Sequence, residues 1–419
     1  MHLRRLVTGA GGIWLASTLL LSVSAKTTIE LVCNDPPALR AGAYERAIKA
    51  FELANPTIKV KYTLFPGDFI PYLLTRAAGG AMPDVFYNRG AFTNMMASNG
   101  LLLNLDSYIK RDKLDMSDLW ASQIGEMKWN GSFYELPENL SSWAVSYNVD
   151  IAREAGVVIP TTPWTWDDLR LAATKLTKRD GNKTSRYGFQ YNIWGPWAMF
   201  GMFYGASGQI YAPDMKSCTI ANPENAKLLA MFSEMADQGI IPPGASGDFP
   251  GKKVAMSFDG SWVTDMWRLQ LKTHHFDVAY APTGEFSKRP SSGNAGAGYA
   301  IARSTKKAEA AWKFVKFLTS EDTLDDLVVG KLVNIPARKS TAERFVKKVL
   351  ATGDPKNVRI WLDSAEKGWS IPSTPFYDDT QKSIGAAMQK LWAKKRSPDT
   401  ALADIASEVN AAIRRKTKK

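Results

Sequence analysis

The side chains best able to do chemistry in this sequence are rings, amides and carboxylates at loop positions, and their arrangement suits binding. Trp194 and Trp197 stand in Tyr191-Asn192-Ile193-Trp194-Gly195-Pro196-Trp197, where Gly195-Pro196 interrupts any helical core stripe and puts the rings at a loop-to-helix start. An indole plane packs on the C–H face of a sugar ring, whose hydroxyls then need donors and acceptors close by. The phrase Asp259-Gly260-Ser261-Trp262 follows an apolar run and is expected to open a helix. Its backbone N–H groups and the Ser261 hydroxyl can bind hydroxyl or anionic oxygens, or Asp259 and Ser261 act as plain helix caps. Arg338 can clamp a phosphate, sulfonate or carboxylate with two parallel bonds, or form a surface salt bridge.

Other chemistries are poorly supplied. The chain has 419 residues with three His and two Cys. His2 falls in a leader, and the adjacent His274 and His275 have no Cys or acidic neighbours at metal spacing, so neither a triad hydrolase nor a metal site is expected, and no cofactor is implied. Cys33 and Cys218 are too few for a zinc cluster or a disulfide framework. Asp and Glu are abundant enough for a secreted carbohydrate-active hydrolase with a carboxylate pair, the alternative reading, but no spacing singles out an acid and a base. The 53 Lys and Arg outnumber the 41 Asp and Glu. Their clusters, Lys306-Lys307, Lys347-Lys348 and the Arg414–Lys419 tail, are not interleaved with aromatics, which argues against nucleic acid as a partner.

The elements that must position these residues alternate. Met1 to Ala25 has a basic start at Arg4 and Arg5, an apolar run from Ile13 to Val23 and a small-residue end, the pattern of a secretory signal peptide rather than a span. Export to the periplasm follows, by the general route or, less simply, the twin-arginine one. A strand at Ile29–Val32 leads to a helix with Tyr44, Ala47, Ile48 and Phe51 on one face, then a strand at Val60–Leu64, a helix to Ala78 and a strand at Asp84–Tyr87. This is the pattern of a helix-covered parallel sheet, whose ligands bind beyond the carboxyl ends of strands. Asn34 and Asp35, Asp68, and Asn88 and Arg89 stand at those ends, and each residue type is also a common turn former. Near the carboxyl end, Ile384, Met388, Leu391 and Trp392 form one apolar stripe and Leu402, Ile405, Val409 and Ile413 another.

Six phrases, in order, carry a family resemblance. They are Gly79–Val85 (GGAMPDV), Gly131–Pro137 (GSFYELP) followed by Val145–Asn148, Pro163–Leu169 (PWTWDDL), Ala221–Ala226 (ANPENA), Val254–Trp262 (VAMSFDGSW) and Ala310–Leu318 (AAWKFVKFL). Together they resemble the extracellular solute-binding proteins of ABC importers, the family of the maltose-type and glycerol-3-phosphate-type receptors. The resemblance implies a type II periplasmic binding protein fold of class α/β, with two discontinuous lobes joined by a three-crossing hinge. Residues 26–139 and 295–332 would form the amino-terminal lobe, and 140–294 and 333–419 the carboxyl-terminal lobe. Crossings are expected near 138–144, 294–298 and 330–336. Glu138 and Asn139 would then reach ligand from the first crossing, Asn294 and Gly296 from the second, and Arg338 from just past the third. Tyr377, with Trp369 and Phe376, would complete the cleft, while the segment Asp259 to Trp262 lines it from the carboxyl-terminal lobe. Cys33 and Cys218 would lie in different lobes and stay unpaired. The implied function is capture of a carbohydrate or polyol derivative, neutral or anionic, by a monomer that delivers it to a membrane permease without catalysis.

Overall fold

The computed structural model describes residues 26–34, 42–191, 196–271, 275–284, 292–332 and 334–417. Strand β1 (Thr27–Cys33) pairs in parallel with β2 (Ile58–Leu64) along its whole length and with β3 (Val85–Arg89) at Leu31 and Val32. Ile29, Leu31, Val32 and Cys33 are all fully buried, as expected of a strand covered on both faces by helices. Helix α1 (Ala43–Ala54) buries Tyr44, Ala47 and Phe51 of the predicted face, with Ile48 partly covered, and α2 (Phe69–Ala78) buries Phe69 and Leu73. Between them these elements give the strand, helix, strand, helix, strand order that the sequence predicts.

The two lobes share one sheet because of a single long strand. Glu135–Asn148 runs for 14 residues, about 45 Å of extended chain. Its first half pairs antiparallel with Gly293–Ile301, which in turn pairs with β3. Its second half pairs antiparallel with Val254–Gly260 and Phe276–Tyr280. The short strand Ile335–Pro336 joins it at Leu140 and Asn139. Gly298 is what lets the first two crossings lie this close. A Cβ there would sit 2.0 Å from the Leu136 carbonyl oxygen, at the point where the register shifts between Ala297 and Gly298.

The carboxyl-terminal lobe is covered by helices with clear sequence signals. Trp166–Leu176 starts at a capping box made by Thr165 and Asp168, and Pro223–Asp237 starts at Asn222 with Pro at its first position. Both predicted carboxyl-terminal stripes are buried, in Tyr377–Trp392 and Pro398–Thr417, except that Trp392 is only partly covered. No disulfide joins Cys33 and Cys218, which lie in separate cores. Among the described residues no helix is long and apolar enough to cross a membrane.

Candidate ligand-binding cleft

Two neighbouring cavities meet at one residue. The first, about 240 Å³, is lined by Asn34, Gly67, Asp68, the start of α2 and Tyr87, with Arg89 on its edge. The second, about 230 Å³, is lined by Arg89, Phe92, Trp197, Gly296, Tyr377 and Gln381 together with Ala91 and Ala295. Arg89 is exposed at the end of β3, where its backbone pairs with Ala297. It makes no ion pair among the described residues, and its guanidinium carbon lies 5.9 Å from the centroid of the Trp197 ring. Arg89 lines both cavities, so they are adjacent parts of one trough-shaped region, the first at the carboxyl ends of the first three strands and the second against the helices Pro196–Ser207 and Tyr377–Trp392.

The aromatic wall of this trough is built in depth. Trp143, fully buried on the long crossing strand, stacks on Phe258 at 5.3 Å and takes Trp197 and Trp262 edge-on at 5.6 and 4.9 Å. Trp262 stacks behind Trp197 at 5.1 Å with planes 11° apart. Trp197 is thus held flat by packing, which fixes the plane it presents and reduces the entropy lost when a ring settles on it. Its indole N–H is buried with no hydrogen-bond partner among the described residues. Tyr377 is buried, packs edge-on against Phe92 at 5.3 Å, and accepts a 3.0 Å bond from Gln381 one helical turn later.

Of the residues expected at a ligand, Asn34, Asp68, Arg89, Trp197, Gly296 and Tyr377 line this trough. Asp35 and Trp194 lie outside the described residues. Several others line neither cavity, and the hinge engages their polar atoms internally. Glu138 accepts hydrogen bonds from Tyr299 and, at 2.7 Å, from the Asn139 amide, which also donates to the Tyr87 hydroxyl at 3.0 Å. Asn294 accepts from Ser142 at 2.7 Å and donates to the Ser364 and Ala365 carbonyls. Asn88 donates to Glu135 and Thr93. All four are buried; Glu138, Asn139 and Asn294 spend their polar atoms on protein groups, while the Asn88 oxygen has no hydrogen-bond partner among the described residues.

The Asp259–Trp262 segment likewise lines neither cavity. Asp259 and Gly260 still belong to the strand, and the helix begins only at Val263. The Ser261 amide donates to the Ser142 carbonyl, its hydroxyl donates to Asn334, and Asp259 accepts from the Trp267 indole at 3.3 Å. Trp262 serves as backing for Trp197. Asn334 emerges instead as the knot of the hinge. Its oxygen accepts from Ser141 at 2.8 Å and Ser261 at 3.3 Å, and its amide donates to Asn139 at 3.2 Å.

Arg338 takes the salt-bridge role. Its Nε donates to the Thr319 carbonyl at 3.0 Å and its guanidinium pairs with Asp118 at 3.5 Å, while Asp118 also receives the Ser340 amide and hydroxyl at the start of the helix Lys339–Ala351. It lines neither cavity. Arg338→Ala is therefore expected to leave ligand affinity within about twofold and to lower stability by about 1 kcal/mol, as isothermal titration and urea unfolding would show.

Sequence reading missed Tyr87, Phe92, Gln381 and two buried carboxyls. Gln381 carried a usable signal, since it stands four residues after Tyr377 on the same helix face. Glu126 accepts the Gly296 amide at 2.8 Å directly behind the cavity floor, and burial pushes its carboxyl well above the usual range, helped by Glu135. Glu135 is raised by burial to about 8, against an ordinary 4.5, although Thr93 and Asn88 hydrogen-bond to it. Between those two values the folded chain keeps a proton that the unfolded chain has lost, so stability falls as pH rises through this window. The slope from this one group is at most about 1.4 kcal/mol per pH unit. Urea midpoints at pH 5.5 and 7.5 should differ less in Glu135→Gln than in the parent protein.

Comparison with known proteins decides the family. A model described as bacterial extracellular solute-binding protein matches residues 37–324. The chain belongs to that family. It is a solute-binding protein and not an enzyme, as the resemblance implied. A Brucella abortus chain named as a binding protein is 23% identical over 393 residues, covering 89% of this chain and 90% of that one. An ABC substrate-binding protein from Listeria monocytogenes, solved with cycloalternan, superposes with a TM-score of 0.82 and 25% identity over 92% of this chain and 99% of that one. A solute-binding protein from Thermotoga lettingae, solved with α-D-tagatose, gives 0.80 and 22% over 93% and 100%. The maltose/maltodextrin-binding domain from Bdellovibrio bacteriovorus, solved with maltotriose, gives 0.75 and 21% over 93% and 100%. The two-lobed periplasmic binding protein fold expected from the sequence is the fold of this solute-binding protein.

Proposed function

We propose that this protein captures a neutral carbohydrate in the trough between its lobes and delivers it to the permease of an ABC importer. The observation that carries this reading is the pairing of a flat, braced indole, Trp197, with hydrogen-bonding groups of both kinds, Asp68, Asn34, Arg89 and Gln381, around two adjacent cavities that share Arg89. Sugars present an apolar C–H face and a rim of hydroxyls that donate and accept, and this wall and rim match both. The solved relatives found with cycloalternan, tagatose and maltotriose support the class.

A neutral ligand is favoured over an anionic one on two grounds. Arg338, the proposed anion clamp, is engaged by Asp118, and the Asp68 carboxylate lines the same cavity as Arg89. A hydrolase is disfavoured because Asp68 is the one carboxylate lining either cavity among the described residues, and glycosidases of the common kind need two. A larger space of about 390 Å³ lies away from the hinge, between the helices Trp166–Leu176 and Pro223–Asp237. On its rim Asp167 and Arg170 pair with each other at 3.1 Å, and no crossing strand contributes to it.

In this reading residues 1–25 direct export to the periplasm and are removed, and the mature chain acts as a monomer. Its lobes comprise residues 26–139 with 295–332 and residues 140–294 with 333–419, closing on ligand by hinge motion about the crossings. A thermal-shift screen of residues 26–419 tests it. A ligand held only by the folded state raises the melting temperature, by linkage. Neutral sugars should do so and be recovered unchanged, while sugar phosphates and sulfonates should not. A shift confined to the anionic compounds would refute the neutral reading.

A further inference from the structure

We infer that Glu135 is a positioning residue for the second cavity: it keeps a proton on Oε1, shares it with Asn88 Oδ1, and through that pair clamps both ends of the stretch Arg89–Phe92. From this stretch Arg89, Ala91 and Phe92 line the cavity. The residues on either side of it are Asn88 and Thr93, and both bond to one atom. Asn88 Nδ2 donates to Glu135 Oε2 at 2.7 Å and the Thr93 hydroxyl donates to the same oxygen at 2.6 Å, while Asn88 Nδ2 also reaches Thr93 Oγ1 at 3.1 Å. Glu126 supports the middle of the stretch. It accepts the Gly296 amide, and a Cβ at Gly90 would lie 2.6 Å from its Oε2, so the Gly90 backbone rests on the Glu126 side chain.

The atoms left without partners show where the proton belongs. Asn88, Thr93 and Glu135 are fully buried, and with the carboxyl ionised Glu135 Oε1 and Asn88 Oδ1 are two acceptors that lack a donor among the described residues. Buried acceptors are costly to leave unmet. One proton on Oε1 meets the need of both, because an acid and an amide set side by side pair through two bonds, amide N–H to carboxyl oxygen and carboxyl O–H to amide oxygen. The Asn88 amide already makes the first of these. Burial, which lifts the Glu135 carboxyl to about 8 against the bonds from Thr93, Asn88 and the Gly298 amide, agrees. The titratable and charged groups around the pair among the described residues are Glu126, on the loop after the helix Ala121–Ile124, Tyr377 on the helix Tyr377–Trp392, and Arg89 itself. Burial and then Glu135 hold the Glu126 carboxyl well above the usual range. Loss of the Glu135 proton therefore sets a carboxylate oxygen against an amide oxygen, beside a second acidic group, and the clamp on Arg89 and Phe92 opens.

The test is hydrogen exchange of the ligand-free protein at pH 5.5 and 7.5, read by mass spectrometry and corrected for the intrinsic rate at each pH. Any opening that wets Glu135 lets it ionise, so the frequency of such openings should rise by up to about tenfold per pH unit in this range. Protection over residues 88–97 is expected to fall at least about tenfold in the parent, and by more than over the helix Pro398–Thr417. Glu135→Gln places a permanent N–H where the proton sits, so residues 88–97 should be protected equally at both pH values, at no less than the parent's level at pH 5.5. Glu135→Leu cannot pair and should expose them at both. The infrared spectrum of the parent at pH 7.5 should show a protonated-carboxyl band, a readout that does not depend on how the variants fold. Protection that does not change with pH, a change as large over Pro398–Thr417, a pH dependence retained in Glu135→Gln, or no protonated-carboxyl band would each overturn the inference. No solute is added, so the result stands apart from the carbohydrate reading.

Discussion

Trp197→Ala is expected to weaken sugar binding by at least about 30-fold, a loss of about 2 kcal/mol or more that marks a buried aromatic anchor. The ring is set by Trp262 behind it and Trp143 on its edge, so the parent protein presents the platform ready-made. Alanine removes the surface and also frees Trp262 to shift. Trp197→Phe should recover part of the affinity, because a smaller plane in the same place still covers a C–H face. Calorimetry on all three proteins, with urea unfolding as a control for packing, separates the contributions. Affinity within threefold of the parent for Trp197→Ala would remove this ring from the site.

The second large effect is expected at the hinge. Asn334→Ala should lower unfolding stability by about 2–4 kcal/mol, because it leaves Ser141, Ser261 and Asn139 with unmet hydrogen-bonding groups in a buried setting. Asn334 touches the long crossing strand and the turn after Val254–Gly260 from the third crossing, so the same change loosens the lobes relative to each other. Ligand affinity should fall as well, even though Asn334 lines neither cavity. A shifted urea midpoint with an unchanged dissociation constant would confine its role to stability. Asn334→Asp would be no rescue, since it exchanges the amide donor for a buried charge.

Sequence periodicity made the first three strands and two helices legible, because their buried residues alternate or recur at helical spacing without interruption. The ordered phrases made the two-lobed architecture legible. At the cavities, the residues at strand ends are the ones whose place chain direction foretells. Asn34, Asp68 and Arg89 follow strands whose carboxyl ends face the trough, and chain direction alone puts them there. The hinge residues were less legible because a polar side chain on a crossing strand reads identically whether it faces a ligand or another crossing. Glu138, Asn139 and Asn294 are bonded to partners such as Tyr299, Tyr87 and Ser142 that lie 52 to 161 positions away in sequence. Such pairings come from tertiary structure, and no local pattern announces them. For Arg338 the sequence left clamp and salt bridge equally open, because its partner Asp118 is supplied by a distant loop.

The most direct test of the account is a crystal structure of residues 26–419 with the first neutral sugar that raises its melting temperature. The account predicts an intact sugar between the lobes, one ring against Trp197 and Tyr377, with hydrogen bonds to Arg89 and Asp68. A sugar lodged between the helices Trp166–Leu176 and Pro223–Asp237, or one found cleaved, would contradict it.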